Sequence, residues 1–169
     1  MFHTEPDLGE LVNWFLERGR RVLFPRYEPA LACYAVAPVV DPLADLSPGR
    51  YGVPEPRPDI PVDHRNLDCT GTVWCVPGLA FDHRGRRLGR GAGWYDRLLQ
   101  NAGPRRIGVT FADSLVEAVP QEPHDVSMNA IGTETGVWTV AEQTRDEPAR
   151  PPAAGTHKLK RGKLQWTTP

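Results

Sequence analysis

The residues best suited to chemistry lie in one glycine- and arginine-rich segment, between an apolar run and a helix-like run. Gly89, Gly91 and Gly93 stand where loop meets helix, and a residue without a Cβ lets backbone N–H groups approach an anion closely. Arg87 and Arg90 can each donate paired hydrogen bonds to phosphate oxygens. The segment therefore predicts a phosphate-binding loop, although it is neither a Walker A loop nor a G-x-G-x-x-G motif.

A helix predicted from about Trp94 to Gln100 follows this loop. Its N-terminus adds a partial positive charge, and Asp96 lies in its first turn. Because proteins commonly hold Mg²⁺ with a carboxylate beside phosphates, Asp96 is a candidate metal ligand. Two alternatives stay open: Asp96 could serve only the helix dipole, and the loop could be flexible with solvated arginines. The number of glycines favours the phosphate site, because a plain connection is shorter and needs fewer of them.

The elements around this segment predict an α/β fold. Apolar residues recur at helical spacing over residues 8–16, with Asp7 placed to cap the helix and Gly19 placed to end it. Residues 20–25 predict a short strand stopped by proline, and residues 41–62 predict a long loop. Alternating strands and helices favour a mainly parallel sheet with helices on both faces, a Rossmann-like three-layer arrangement. The other predicted strands cover residues 32–37, 72–76, 106–111 and 130–133.

Length and composition predict one domain and a tail. The 169 residues suffice for a single core, which we assign to residues 1–141. Residues 142–169 are rich in proline and basic residues and are predicted to be disordered. The net charge of −1 gives no general attraction to nucleic acid or to an anionic membrane, so we expect neither partner. RNA or protein binding by the tail is an alternative, but Trp166 is its only aromatic residue.

The cysteines and the start of the chain predict a cytoplasmic protein, which we expect to be a monomer. Cys33, Cys69 and Cys75 are odd in number and form no C-x-x-C pair, which argues against a disulfide scaffold. The first residues form no signal peptide, and no stretch approaches the roughly 20 apolar residues that span a bilayer.

The segment from Pro77 to Arg97 resembles the signature of the 5-formyltetrahydrofolate cyclo-ligases. In that signature a proline-glycine turn, an F-D-x-x-G-x-R-L-G turn and a G-R-G-x-G-[YW]-Y-D run follow one another. Residues 5–7 resemble the family's acidic E-x-[DE] segment, residues 51–56 its G-[IV]-x-E-P loop, and residues 120–126 its P-x-E-x-H-D segment. The resemblance covers about residues 5–138, and its central run is highly specific.

The resemblance implies that ATP phosphorylates the formyl oxygen of 5-formyltetrahydrofolate. The N10 nitrogen then attacks the activated carbon, phosphate leaves, and 5,10-methenyltetrahydrofolate forms. The resemblance implies catalytic roles for Arg90 and Tyr95, and a magnesium site at Asp96 and Asp125. The implied ATP contacts are Arg87, Leu88, Gly89, Arg90, Gly91, Ala92, Gly93, Trp94 and Tyr95. The implied folate contacts are Glu5, Arg90, Gly91, Ala92, Gly93 and Trp94.

Several of these residues also have a simpler interpretation. Trp94 and Tyr95 could be core residues, Asp125 could cap a turn, and residues 51–56 could be a proline-stiffened loop. Family members begin with a basic helix that helps to bind ATP and with a first strand, whereas this chain begins at the segment that follows them. The alternative function is therefore a nucleotide- or folate-binding homologue without cyclo-ligase activity.

Overall fold

The computed structural model of the chain describes residues 6–49, 52–63, 71–91, 93–100, 102–103 and 105–140. The first element is helix α1 (Gly9–Glu17). Asp7 accepts a hydrogen bond of 2.8 Å from the backbone N–H of Gly9. Gly19 follows the helix with a φ of +63°, the left-handed conformation in which glycine commonly ends helices. The predicted helix is confirmed together with the residues that begin and end it.

Two antiparallel strands, β1 (Val22–Glu28) and β2 (Cys33–Val39), form a hairpin after α1. The prediction that proline stops the first strand is wrong, because Pro25 pairs with Val36 inside the ladder. A proline lacks the N–H donor, and each strand of a two-stranded sheet has an outer edge where that donor is not needed. An antiparallel hairpin therefore stands where the sequence predicted the start of a parallel sheet.

The region predicted as a long loop contains a helical turn and two short strands. These elements are α2 (Pro42–Asp45), β3 (Leu46–Pro48) and β4 (Pro54–Pro56). Strands β3 and β4 pair antiparallel, and β4 also contacts β1. Asp41 caps α2 by accepting a hydrogen bond of 3.0 Å from the N–H of Leu43. Hydrophobic periodicity could not reveal elements of three or four residues, because it needs a longer window.

The largest sheet has four strands. They are β5 (Trp74–Pro77), β8 (Arg106–Val109), β10 (Ala130–Thr133) and β11 (Gly136–Thr139). The spatial order is β11-β10-β8-β5, in which β5 and β10 run parallel to β8 and β11 returns antiparallel to β10. The three strands predicted in this half of the chain are therefore present, with bounds close to the expected ones.

A second, three-stranded sheet carries the predicted phosphate loop. Its strands are β6 (Ala80–Asp82), β7 (Arg87–Leu88) and β9 (Leu115–Val116), and helix α3 (Trp94–Leu99) follows β7. Strand β6 pairs antiparallel with β7 and parallel with β9, and α3 contacts β2. Phe81 of β6 and Leu99 of α3 are buried in one core with residues of the larger sheet. The loop between β7 and α3 is thus anchored at both ends by elements that reach the core.

The chain has a mixed α/β fold, as predicted, but the finer expectation does not describe it. Among the described residues, three strand pairs are parallel and four are antiparallel, divided over four small sheets. The four-stranded sheet is mainly parallel, but the described residues do not confirm a Rossmann-like three-layer arrangement with helices on both faces. An apolar run looks the same whichever way its partner strand runs, so the sequence did not reveal the antiparallel pairs.

Candidate active site

Arg87 is the charged residue around which the candidate site is built. It lies in β7 with 7% of its side chain exposed, and it donates a hydrogen bond of 3.0 Å to Asp96 Oδ2. Its guanidinium carbon lies 5.4 Å from the centre of the Tyr95 ring. A Cβ at Gly89 would lie 2.6 Å from Arg87 Nη1, and a Cβ at Gly78 would lie 2.9 Å from Arg87 Cγ. These two glycines therefore leave the space that the arginine side chain occupies.

The pair of Arg87 and Asp96 brings a predicted phosphate ligand and a predicted metal ligand together. Asp96 lies in the first turn of α3, with 14% of its side chain exposed. Both side chains are largely shielded from water, so each charge needs the other as its partner. Removal of either one would leave an uncompensated charge, which destabilises the folded state. Arg87 Nε is buried and has no hydrogen-bond partner among the described residues. Its N–H is therefore a donor that the ion pair with Asp96 does not use. The alternative of a loop with solvated arginines fails for Arg87.

The loop between β7 and α3 has the backbone conformation for which its glycines are suited. Gly91 and Gly93 have φ values of +84° and +60°, and Gly93 is the N-cap of α3. Residues with a Cβ rarely adopt this left-handed conformation. Arg90 is exposed, and Leu88 is 46% exposed, so this part of the predicted ATP site faces solvent. The loop thus combines a buried arginine in β7 with an exposed one after it.

Three aromatic rings pack together where α3 meets the β1–β2 hairpin. The ring centre of Trp94 lies 5.6 Å from that of Tyr27 and 5.4 Å from that of Tyr34, and the two tyrosine rings are 5.5 Å apart. All three contacts are edge-to-face, the geometry that aromatic pairs favour. Arg97 places its guanidinium carbon 4.3 Å from the centre of the Trp94 ring. Trp94 therefore packs within an aromatic cluster, and its contacts with ATP and folate stay predictions.

A cavity of about 230 Å³ lies beside this aromatic cluster. Glu55 lines the cavity and is 7% exposed. Its carboxylate accepts hydrogen bonds from the backbone N–H of Tyr27 at 3.0 Å and from the hydroxyl of Tyr34 at 3.4 Å. The side chain of Glu55 thus ties β4 to both strands of the hairpin. Other lining residues include Arg26, Tyr27, Glu28, Pro48 and Pro56.

Asp125, the second predicted metal ligand, caps a turn. Its Oδ2 accepts a hydrogen bond of 2.7 Å from the N–H of Glu122, and its Oδ1 lies 3.8 Å from Nε2 of His124. Its side chain is 31% exposed. Across the described part of the chain, no three His, Cys, Asp or Glu side chains group into a metal site. The capping contact is the simpler interpretation given above, and a joint role of Asp96 and Asp125 in magnesium binding stays a prediction.

Comparison with known proteins decides the family. The sequence model described as the 5-formyltetrahydrofolate cyclo-ligase family matches residues 1–134. The chain belongs to this family.

Individual cyclo-ligases agree with this assignment. The 5-formyltetrahydrofolate cyclo-ligase of Mycolicibacterium smegmatis is 36% identical over 140 residues, covering 77% of this chain and 68% of the relative. The cyclo-ligase of Escherichia coli is 32% identical over 142 residues, covering 81% of this chain and 76% of the relative. The structure of Aquifex aeolicus 5,10-methenyltetrahydrofolate synthetase superposes with a TM-score of 0.64 at 30% identity, covering 85% of this chain and 70% of that one. Membership of the cyclo-ligase family makes the chain an enzyme of the ligase class.

Some residues that resemble the cyclo-ligase motifs lie outside the described part of the chain. Glu5, a predicted folate contact, and Ala92, a predicted contact of both ATP and folate, are among them. Tyr51 is another, and the predicted tail, residues 142–169, also lies outside the described residues. Within the described residues, no helix is both long enough and apolar enough to cross a membrane.

The aromatic wall formed by Tyr27, Tyr34 and Trp94 in this cyclo-ligase was not predicted from the sequence. Tyr27 and Tyr34 were not candidate residues, although they form a direct cross-strand pair. Residues 51–56 resemble the family's G-[IV]-x-E-P loop, but that resemblance does not predict the anchoring contacts of Glu55. The sequence carries a usable signal, because Tyr27 and Tyr34 are equally far from the midpoint between Ala30 and Leu31, and residues placed so in a hairpin lie side by side.

Proposed function

We propose that this chain converts 5-formyltetrahydrofolate and ATP into 5,10-methenyltetrahydrofolate, ADP and phosphate. The observation that carries the proposal is the buried pair of Arg87 and Asp96, held beside the glycine loop of a cyclo-ligase family member. In the proposed reaction the formyl oxygen attacks the γ-phosphorus of ATP, and ADP leaves. The N10 nitrogen then attacks the activated formyl carbon, and the carbon–oxygen bond breaks to release phosphate as the ring closes.

Positioning and charge neutralisation are the main needs of phosphoryl transfer, so the protein requires few acid or base groups. We assign Arg87 and the backbone of Gly89, Gly91 and Gly93 to the phosphates of ATP. Arg90, which is exposed beside this loop, would donate to the phosphoryl group during transfer. Tyr95, whose ring lies next to the Arg87 guanidinium, would border the reacting groups.

We assign Mg²⁺ to Asp96 and Asp125. Their carboxylate oxygens are the donors that this hard cation prefers, and a magnesium ion beside ATP takes many of its ligands from phosphates and water. This chemistry explains why two carboxylates could suffice without a cluster of three acidic residues. The bound ion would neutralise negative charge on the phosphates. Asp96 would then exchange part of its present contact with Arg87 for the metal.

The cavity beside the aromatic cluster supports a folate site next to the phosphate loop. Tyr27 lines the cavity and also contacts Trp94, which precedes Asp96 by two residues. A flat pterin ring suits walls made of aromatic and proline side chains, and its N–H groups suit a carboxylate. Glu55 lines this cavity, and Glu5 stays a predicted second contact. A cytoplasmic location and a monomeric state also stay predictions.

Product formation tests the proposal directly. The purified chain would be incubated with 5-formyltetrahydrofolate, ATP and MgCl₂, and the methenyl product would be followed by its absorbance. We expect product only when both substrates are present, with ADP formed in equal amount. Binding of ATP and folate without product would instead support the homologue that lacks cyclo-ligase activity.

A further inference from the structure

Asp82, at the end of β6, is a completely buried carboxylate that the proposed reaction does not use. Its Oδ1 accepts hydrogen bonds from the backbone N–H groups of Arg84 at 2.9 Å and Arg86 at 3.0 Å. Its Oδ2 accepts a third, from the N–H of Val119 at 3.0 Å. Burial of a charge is unfavourable unless hydrogen bonds compensate it, and three backbone amides supply that compensation here.

These hydrogen bonds shape the turn that leads into Arg87. The N–H of Gly85 donates to the carbonyl of Asp82 at 3.0 Å, and the N–H of Asp82 donates to the carbonyl of Arg86 at 3.1 Å. Gly85 has a φ of +77°, so a side chain would be strained at this position. The carboxylate of Asp82 therefore fixes a tight turn that ends one residue before the arginine of the candidate site.

The same turn holds both ends of the segment that carries Asp125. At one end, Val119 donates its N–H to Asp82. At the other end, Met128 donates its N–H to the carbonyl of Gly85 at 2.8 Å. A Cβ at Gly85 would lie 2.4 Å from the carbonyl oxygen of Met128, so the two backbones meet closely. The turn after β6 thus connects the residues before Arg87 with those on both sides of Asp125.

We propose that Asp82 is a positioning residue that sets the separation between the Arg87–Asp96 pair and the segment bearing Asp125. It contacts no reactant and acts through the backbone on both sides of the nucleotide site. This inference rests on the proposed function, because Arg87, Asp96 and Asp125 are the groups assigned to ATP and Mg²⁺. The folate cavity is lined by residues from β1, β3, β4 and their connections, and its affinity should not depend on Asp82.

The test uses Asp82→Asn in the full chain, with Asp59→Asn as the matched control. The asparagine keeps the shape but replaces one acceptor oxygen with an NH₂ donor that faces a backbone N–H. Asp59 is an exposed carboxylate that forms an ion pair with Arg57, two residues before it in the chain. For Asp82→Asn we expect a KM for ATP raised by about tenfold, since small displacements of positioning groups have effects of this size or larger. The Mg²⁺ concentration for half-maximal rate should rise as well, while the KM for 5-formyltetrahydrofolate stays within about twofold.

Calorimetric titration with MgADP supplies a readout that does not need turnover. The proposal requires weaker MgADP binding by Asp82→Asn, with binding by Asp59→Asn equal to that of the parent. A variant that melts at lower temperature but keeps both the parent's KM for ATP and its MgADP affinity would overturn the proposal, since Asp82 would then serve stability alone. Equal losses of affinity for ATP and folate would also overturn the proposal, because they would indicate that the substitution disturbs the whole fold and not the nucleotide site alone.

Hydrogen exchange of the unmodified chain decides the question if Asp82→Asn does not fold. We expect the amides of Arg84, Arg86 and Val119 to exchange slowly and to become further protected together when MgADP binds. If the exchange rates of these three amides are the same with and without MgADP, the turn is not linked to the nucleotide site. Turnover of the parent chain is measured first: its absence speaks against the proposed function, whereas MgADP binding unaffected by Asp82→Asn speaks only against positioning.

Discussion

The Arg87 side chain shows how strongly single residues constrain one another in this site. Its guanidinium forms an ion pair with Asp96. Its Cγ lies close to Gly78 and its Nη1 lies close to Gly89, where a side chain would occupy the same space. Any larger residue at either glycine would have to displace the arginine or the backbone. The sequence predicts that Gly89 lets backbone N–H groups approach a phosphate, and the structure adds that Gly78 and Gly89 make room for an arginine.

Arg90→Ala should impair the use of ATP without unfolding the protein, because Arg90 is exposed and has no place in the core. Loss of a charge-assisted hydrogen bond to phosphate should cost on the order of 2 kcal/mol, or about thirtyfold in kcat/KM for ATP. Steady-state kinetics over an ATP titration measure this loss. Arg84→Ala is the control, because Arg84 is an exposed arginine of the neighbouring turn. Equal kcat/KM values for ATP in the two variants would show that Arg90 does not contribute to ATP binding or phosphoryl transfer.

Asp96→Asn should raise the Mg²⁺ requirement and also lower stability. The amide keeps the shape of the side chain but loses the charge that attracts the cation and compensates Arg87. Breaking a largely buried pair by removing one charge should lower the free energy of unfolding by about 3 kcal/mol. A magnesium titration and denaturant unfolding measure the two effects, with Asp113→Asn, at an exposed carboxylate, as control. A magnesium dependence identical to that of the parent would leave Asp96 with a structural role only.

The elements that line the proposed folate cavity were the hardest to predict. Strands β3 and β4 are three residues each and contain prolines, so composition alone predicts a loop. Buried side chains define them instead, chiefly Glu55, which accepts hydrogen bonds from both strands of the β1–β2 hairpin. Such contacts join residues about 20 to 30 positions apart, beyond any local pattern. By contrast, α1 was predictable because its apolar spacing and its end residues are local signals.

Gly49→Ala tests whether the contacts of Glu55 hold this region together. A Cβ at Gly49 would lie 2.3 Å from Cγ of Glu55, so the carboxylate or the backbone would have to move. We expect a loss of about 1 to 3 kcal/mol in the free energy of unfolding, as for other overpacked sites. Gly71→Ala is the matched control, because its Cβ would meet no atom within 4 Å. Equal unfolding midpoints for the two variants would show that the Glu55 contacts tolerate displacement.

The α2 turn should respond to pH through Asp45. Its carboxylate accepts hydrogen bonds from the N–H groups of Asp41 and Val40, and these bonds hold its pKa below the ordinary value of 3.8. A folded-state pKa lower than the unfolded one gives stability that is present at neutral pH and lost as the pH falls through the folded value. The melting temperature of Asp45→Asn should therefore lie below that of the parent at pH 7, with the gap narrowing below about pH 4. A gap independent of pH would contradict this role of the charge.

In the molecule as a whole, the residues proposed to bind phosphate are close together in sequence, and those proposed to bind folate are not. Arg87 and Asp96 are nine positions apart, so the chemistry of their segment could be read directly from residue types and spacing. Tyr27 and Tyr34 reach Trp94 only because α3 packs against β2. That contact depends on a hairpin whose antiparallel direction the apolar runs did not reveal. Residue types therefore sufficed for the family, and the phosphate loop stays a prediction from them, whereas the aromatic wall and the four small sheets of the described residues required the structure.

The fate of the formyl oxygen is the most direct measurement of the proposed reaction. The chain would be given 5-formyltetrahydrofolate labelled with ¹⁸O in the formyl group, together with ATP and Mg²⁺, and the released phosphate would be analysed by mass spectrometry. If the formyl oxygen attacks ATP, each phosphate carries the label, and ADP and 5,10-methenyltetrahydrofolate form in equal amounts. Unlabelled phosphate, or ADP formed without the methenyl product, would show that water attacks ATP and would contradict cyclo-ligase activity in this chain.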